Sequence, residues 1–188
     1  TFTVTAGQTD TVELPESWVY HPNPGVDLNR TVYVKSSADI SLYVANEALN
    51  SFDASIVLPT HALGTDYMIQ TSVNESSYST GYPCFMIIAT KDDTRIKLEG
   101  GNINSLNPVY NATTGITLQE GQSYFIRSNA TSITDLSGIR VSVWPREGHP
   151  EDSCKTIAVF NGNTVTKVPG NASTDRDHLV EQAYPINN

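Results

Sequence analysis

The sequence carries the same β-strand pattern twice, and this internal repeat constrains the fold more than any other feature. The first copy contains Phe2-Thr-Val-Thr-Ala-Gly-Gln8 and, further on, Asp39-Ile-Ser-Leu-Tyr-Val-Ala-Asn46. The second copy contains Ile116-Thr-Leu-Gln-Glu-Gly-Gln122 and then Thr156-Ile-Ala-Val-Phe-Asn-Gly-Asn163. A duplicated β unit favours a fold built by repetition, and scaffolds of that kind usually bind ligands rather than catalyse reactions.

The repeat divides the chain into residues 1–82 and 83–188. The second copy begins with the hairpin pattern Phe85–Leu98, which has no counterpart at the start of the first copy. The first copy runs on past Pro59 through a further strand pattern, which the second copy lacks after Pro185. We therefore expect the first repeat to lack its N-terminal hairpin and the second its C-terminal strand, as in a piece of a larger protein. The two repeats are expected to form one compact unit.

Apolar residues alternate with polar residues along most of the chain, which is the pattern of half-buried strands. No long segment shows the 3.6-residue period of an amphipathic helix. The sequence therefore predicts an all-β, sandwich-like fold with two related repeats packed together and no substantial helix. The predicted strands are Phe2–Val4, Thr11–Leu14, Thr31–Val34, Ile40–Val44, Ala54–Leu58, Tyr67–Thr71, Phe85–Thr90, Arg95–Leu98, Ile116–Leu118, Ser123–Arg127, Ile139–Val143, Thr156–Phe160 and Leu179–Ala183.

Composition and motifs exclude several classes of function. The net charge of −9, with Lys and Arg scattered singly, argues against nucleic-acid binding, because phosphate contacts need clustered cations. The apolar runs are too short to insert this segment into a membrane. The sequence contains no Gly-x-Ser-x-Gly motif, no glycine-rich phosphate loop and no cysteine beside a histidine. We therefore predict no enzymatic activity, no cofactor and no metal site.

The two cysteines, Cys84 and Cys154, each stand just before an apolar strand, Phe85–Ile88 and Ile157–Phe160 respectively. If these strands are neighbours, the two sulfur atoms could meet. A disulfide closing a loop of this length would stabilise the fold by roughly 4 kcal/mol. The alternative is that the two residues are unrelated buried thiols.

Five Asn-x-Ser/Thr sequons suggest glycosylation if the protein comes from a eukaryote, and have no such meaning if it comes from a bacterium. They lie at Asn29, Asn74, Asn111, Asn129 and Asn171.

Three segments fall outside the strand rhythm: Pro15–Leu28, Ser72–Pro83 and Trp144–Ser153. Long loops on a rigid β scaffold are where binding residues concentrate, and Trp, Tyr and Arg dominate contact energies. The alternative for the two tryptophans is structural, with each ring capping an end of the sandwich. The candidate binding residues are Trp18, Tyr20, His21, Tyr78, Tyr82, Trp144, Arg146 and His149.

Several short motifs, taken in order, carry a family resemblance. They include Val57-Leu-Pro-Thr-His-Ala-Leu-Gly64, Ile88-Ala-Thr-Lys-Asp-Asp-Thr94, Leu118-Gln-Glu-Gly-Gln-Ser-Tyr124, Ile157-Ala-Val-Phe-Asn-Gly162 and the pair Asp177-His178. Together they resemble the N-terminal domain of IgGFc-binding proteins, found in animal mucus proteins and in surface or secreted proteins of Bacteroidetes-type bacteria. The resemblance implies an extracellular β-rich module of a larger protein with immunoglobulin G Fc as a ligand, and it assigns no binding residues.

Two functions follow from this resemblance and from the loop composition. The first is a non-catalytic extracellular, secreted or cell-surface module that binds or adheres to a protein or glycoprotein, with IgG Fc as the candidate implied by the family. The alternative is a structural spacer that projects the flanking domains of its own chain. Exposed aromatic rings in the loops would favour binding, whereas buried rings would favour the spacer.

Overall fold

The fold was analysed in a computed structural model, which describes residues 1–27, 30–48, 51–73, 81–129, 134–167 and 176–186. Within these residues the chain forms one short helix, α1 (Glu16–Val19), and twelve strands. Three short 3-10 helices lie at Thr60–Ala62, Ile103–Ser105 and Pro150–Cys154. None of the described helices has the length and apolar character needed to cross a membrane. The strands are β1 (Gly25–Asp27), β2 (Leu42–Ala48), β3 (Ser51–Val57), β4 (Asp66–Met68), β5 (Pro83–Ala89), β6 (Thr94–Glu99), β7 (Leu106–Asn107), β8 (Ile116–Leu118), β9 (Ser123–Ser128), β10 (Arg140–Val143), β11 (Ile157–Thr166) and β12 (Asp177–Gln182).

Two antiparallel sheets form the body of the molecule. The larger sheet has the strand order β1-β9-β5-β11-β12, with β7 also paired to β9. The smaller sheet has the order β4-β10-β6-β8. The predicted all-β, sandwich-like fold is confirmed.

The core lies between the two sheets, and the alternating pattern of the strands accounts for it. Every second residue of β5 and of β6 is buried, so one face of each strand points inward and the other outward. Burial of these inward side chains is the main force that holds the two sheets together. The larger sheet contributes Phe85, Ile87, Ala89, Leu106, Ile126, Ile157 and Val159 to this core, and the smaller sheet contributes Tyr67, Ile96, Leu98, Ile116, Leu118 and Val141.

A single tyrosine side chain joins the two sheets by hydrogen bonds. Tyr67 lies on β4 and is fully buried. Its hydroxyl donates to the carbonyl oxygen of Ile157 on β11 at 2.6 Å and accepts from the buried N–H of Gly64 at 2.9 Å. Burial raises the pKa of Tyr67, so the hydroxyl keeps the proton that it donates. The buried hydroxyl group therefore has one hydrogen-bond partner as a donor and another as an acceptor, as a polar group in a core requires.

The two copies of the repeated segment each form the first strand of a long hairpin. β2 contains most of the first copy and pairs with β3, while β11 contains most of the second copy and pairs with β12. The division of the chain at residue 82 stays a prediction.

Side chains, rather than a backbone ladder, join the two hairpins. β3 and β12 lie next to each other, and three alternate side chains of β3 each accept a hydrogen bond from a backbone N–H of β12. These N–H groups point away from β11 and would otherwise be exposed along the sheet edge. We call this contact the side-chain seam. Its pairs are Ser51 with His178, Asp53 with Val180 and Ser55 with Gln182.

The strands predicted at Phe2–Val4, Thr11–Leu14 and Thr31–Val34 are wrong, since none of these segments pairs with another described strand. Their apolar side chains are exposed, as shown by Phe2 at 54% and Tyr33 at 79%. The alternating pattern shows that a segment suits a sheet, but a strand forms only where a neighbour satisfies its backbone.

The predicted disulfide between Cys84 and Cys154 is also wrong, because both residues are free thiols. Cys84 lies near the start of β5 and Cys154 just before β11, and these strands are neighbours as expected, but they are antiparallel. Residues near the starts of two antiparallel strands lie at opposite ends of the pair. Cys84 accordingly lies beside Gly162, whereas Cys154 lies beyond the end where Ile157 pairs with Ala89. Burial raises the pKa of Cys84 to about 12, so its thiol stays protonated.

Replacement of Tyr67 by Phe tests the link between the sheets. The Tyr67→Phe variant removes the partner of the buried Gly64 N–H, and it should lower the free energy of unfolding by about 1–3 kcal/mol. Urea unfolding measures the change, and Tyr43→Phe on the exposed face of β2 is the matched control. Equal stability of Tyr67→Phe and Tyr43→Phe would contradict a stabilising role for the buried hydroxyl.

Candidate functional site

One end of the sandwich, which we call the loop end, gathers the β5–β6 turn, the β8–β9 turn and the loop 144–155 after β10. The Gln119 side-chain amide donates to the Asp93 carboxylate at 3.0 Å and joins the two turns. The Lys155 ammonium group donates to the Asp93 carbonyl oxygen at 3.1 Å and joins the loop to them. Hydrogen bonds therefore join the two turns and the loop into one continuous surface.

The segment from Pro15 to β1 is attached to this same end. β1 pairs with the first half of β9, from Ser123 to Phe125. The His21 ring lies 6.2 Å from the Phe125 ring, between centroids, and its Nε2 is 3.3 Å from Ser123 Oγ. His21, predicted as a binding residue, is thus half-buried and anchors its segment to the sheet.

Trp18 and Tyr20 are exposed on a segment whose backbone is held in place. The Arg30 guanidinium donates to the carbonyl oxygens of Ser17, at 3.1 Å, and of Tyr20. The two rings nevertheless remain open to solvent, at 62% for Trp18 and 56% for Tyr20. Of the predicted binding residues, these two have the geometry expected of a contact surface, because large rings are presented on an ordered backbone.

Trp144 is half-buried at the start of the loop 144–155. The guanidinium carbon of Arg95 lies 4.4 Å from the centroid of the Trp144 ring, a cation–π contact. Gly115 packs close to the same indole, since a Cβ atom there would lie 3.2 Å from Trp144 Cε3 and 2.7 Å from the Ile96 carbonyl oxygen. These contacts fix the start of the loop 144–155 against the smaller sheet.

A buried carboxylate organises the rest of that loop. Asp152 accepts two hydrogen bonds from the Arg146 guanidinium, at 2.7 and 3.0 Å. It accepts a third from the backbone N–H of Arg146 at 3.1 Å. The Lys155 ammonium group lies 2.6 Å from the same carboxylate. The hydrogen bonds from Arg146, followed by that from Lys155, hold the pKa of Asp152 well below its ordinary value. Arg146 therefore serves the loop itself, while His149 is exposed and paired with Glu151 at 2.8 Å.

The remaining predicted residues do not join the loop end. Tyr82 precedes β5 at the opposite end of the sandwich, where the Arg127 guanidinium lies 4.0 Å from its ring centroid. Tyr78 and the sequons at Asn29, Asn74 and Asn171 lie outside the described residues. Asn111 and Asn129 are both exposed, and their glycosylation stays a prediction.

Sequence reasoning missed a polar groove on the outer face of the smaller sheet. It is an open depression of about 360 Å³ that shares Trp144 with the loop end. The outward positions of β6 and β10 are polar, but only the strand register shows which of them become neighbours. The lining residues are Thr65, Asp66, Lys97, Glu99, Arg140, Ser142, Val143 and Trp144.

A Ser-His-Asp cluster at the side-chain seam does not have the geometry of a catalytic triad. Ser51 Oγ lies 2.5 Å from His178 Nδ1, and the Asp177 carboxylate oxygen lies 3.3 Å from the same nitrogen. A triad needs the serine on one ring nitrogen and the carboxylate on the other. His178 Nε2 is instead buried, with no hydrogen-bond partner among the described residues. Among the described residues, no group of three His, Cys, Asp or Glu side chains could hold a metal ion.

Comparison with known proteins identifies the family. The sequence profile described as IgGFc binding protein matches residues 53–188, which is well over half of the chain. The chain therefore belongs to the IgGFc-binding protein family. No curated protein and no solved structure matches it significantly.

The lowered pKa of Asp152 makes loop stability depend on pH in a defined direction. The folded chain binds a proton at Asp152 more weakly than the unfolded chain, so the stabilisation is fully present above the ordinary pKa of about 3.9. It is lost progressively as the pH falls from there towards the lower pKa of the folded chain. Asp152→Asn should lower the melting temperature by several degrees at neutral pH, and the difference from the unmodified chain should shrink in acid.

Thermal unfolding between neutral pH and about pH 3 measures this effect. Asp10→Asn, which changes an exposed carboxylate remote in sequence from the loop, is the control and should leave the melting temperature unchanged. A difference between Asp152→Asn and the unmodified chain that stays constant as the pH falls would contradict the proposed charge network.

Proposed function

We propose that this member of the IgGFc-binding protein family is an extracellular, non-catalytic module that binds a protein or glycoprotein ligand, with IgG Fc as the ligand that the family suggests. One observation carries the proposal: Trp18 and Tyr20 present exposed rings on a segment that is anchored to the loop end. The extracellular location rests on the family and on the sequons.

The anchoring matters because binding loses affinity when it must order a mobile segment. Such ordering costs about 0.5–1.5 kcal/mol for each immobilised side chain, and more for a loop backbone. Here the pairing of β1 with β9, the packing of His21 and the hydrogen bonds of Arg30 order the backbone before any ligand arrives. The surface around Trp18 and Tyr20 is therefore suited to act as a binding hot spot.

The surface and the family contribute separate parts of this proposal. The family profile begins at residue 53, so Trp18 and Tyr20 lie before the matched residues. Family membership accounts for the sandwich that carries the surface, and the exposed rings account for the contact. Fc remains the first ligand to test because the family is described by it.

The spacer alternative is favoured by a different observation. Arg127 and Arg95 pack against the rings of Tyr82 and Trp144 respectively, and these cation–π contacts stabilise the chain. The open rings of Trp18 and Tyr20 make binding the stronger of the two proposals.

Substitution of the exposed tryptophan tests the binding role. The unmodified chain should bind immobilised IgG Fc saturably, and Trp18→Ala should weaken binding by about 30-fold, because truncation of a hot-spot ring costs about 2 kcal/mol or more. The same substitution should leave unfolding within about 0.5 kcal/mol of the unmodified chain, since the ring is exposed. Tyr33→Ala, at an exposed aromatic outside this segment, is the matched control and should bind normally.

Three outcomes of this experiment separate the alternatives. Failure of the folded, unmodified chain to bind Fc at tens of micromolar would refute Fc as the ligand. Equal weakening by Trp18→Ala and Tyr33→Ala would refute the assigned surface. Normal binding by Trp18→Ala would leave Fc as the ligand but move the contact elsewhere.

A further inference from the structure

The polar groove owes its shape to one small residue among large ones. Side chains at alternate positions of β10 and just beyond it face outward, in the order Arg140, Ser142 and Trp144. Ser142 thus forms a low point between two long side chains on its own strand. Trp144 closes one end of the depression, because Arg95 and Gly115 hold its indole in place.

The neighbouring strands form the side walls of the groove. Ser142 pairs with Asp66 on β4 and with Lys97 on β6, so both side chains flank it on the outer face. Glu99 follows Lys97 two residues later on the same face and pairs with Arg140. The floor at Ser142 is therefore surrounded on four sides by side chains that carry hydrogen-bonding groups or a ring.

The charges around the groove balance one another. Arg140 Nε lies 2.8 Å and 3.0 Å from the two carboxylate oxygens of Asp66. The Lys97 ammonium group lies 2.7 Å from the Glu99 carboxylate. The two cations and two carboxylates that line the groove cancel one another, so these side chains as a set favour neither an anion nor a cation strongly.

We propose that this groove binds a neutral sugar residue of a glycan. Its volume of about 360 Å³ is within the range of roughly 300–1,000 Å³ for small-ligand sites, but its lining is polar rather than apolar. A neutral ligand that both donates and accepts many hydrogen bonds fits such a lining. Sugars have this chemistry, since each hydroxyl group is at once a donor and an acceptor.

The lining offers each type of partner that a sugar needs. The exposed Glu99 carboxylate accepts hydrogen bonds from hydroxyl groups, and the cations of Arg140 and Lys97 donate to them. Hydrogen bonds to charged groups are about twice as strong as those between neutral groups. The indole of Trp144 supplies an apolar wall at one end of the groove.

This site extends the proposed binding role to a glycan. It rests on the proposed function only in taking a glycoprotein as the class of partner. Its residues are distinct from Trp18 and Tyr20, and it lies within the residues that match the family profile. Free sugars test it without Fc, so failure here and failure of Fc binding can be told apart.

The test is a nuclear magnetic resonance titration of the ¹⁵N-labelled chain with free galactose, mannose and N-acetylglucosamine. At least one of these sugars should shift the backbone amide signals of Asp66, Lys97, Arg140, Ser142 and Trp144, with saturation at millimolar concentration. Ser142→Phe fills the floor of the groove and should abolish the shifts. Thr117→Phe adds the same ring at an exposed position of the same sheet outside the groove, and should leave the shifts intact.

A second variant guards against misfolding of Ser142→Phe. Lys97→Met removes one donor at a half-buried position and should weaken sugar binding several-fold. The proposal is overturned if no sugar shifts these signals, if the shifts persist in Ser142→Phe, or if glycine, a zwitterion, produces them instead. The proposal would also be overturned if Thr117→Phe removed the shifts as fully as Ser142→Phe does.

Discussion

The hydroxyl group of Tyr67 joins the two sheets, and much of the described structure depends on its position. It spans the core from β4 to the Ile157 carbonyl on β11 and also holds the backbone of Gly64. The Gly64 carbonyl in turn accepts from the Ile157 N–H at 3.0 Å, so Gly64 is bound to Ile157 both directly and through the Tyr67 hydroxyl. This arrangement sets how β4 lies within the sandwich.

The inward direction of Tyr67 also decides what appears on the outer surface. Because successive residues of a strand face opposite ways, Asp66 and Met68 must point outward when Tyr67 points inward. Asp66 then reaches Arg140 on β10, which is the ion pair at one side of the groove. A core hydrogen bond and a surface site are therefore consequences of the same strand register.

The strands of the main sheets could be predicted from the sequence, because their alternating pattern reflects real burial. β5, β6 and β9 all lie within one or two residues of the predictions. The segments Phe2–Val4 and Thr31–Val34 have a similar pattern and form no strand, since alternation does not specify a pairing partner. The disulfide failed for a related reason: spacing placed each cysteine before a strand but did not give the strand directions.

The candidate sites, too, could be predicted from the sequence only in part. Trp18 and Tyr20 could be identified from composition, because aromatic residues in a proline-rich loop suggest a contact surface. The anchoring by Arg30 and His21 could not, since it depends on how the loop meets β9. The groove around Ser142 and the side-chain seam at Asp53 were invisible for the same reason, because each depends on the register between strands distant in sequence.

Hydrogen–deuterium exchange of the chain, alone and saturated with IgG Fc, tests most directly whether the anchored loop end is the binding surface. Slower exchange on Fc binding is expected in residues 15–27, with no change around Tyr82 and the facing end of β11. Slower exchange confined to Tyr82 and residues 163–166, with residues 15–27 unchanged, would show that the ligand binds the opposite end of the sandwich and would contradict the assignment.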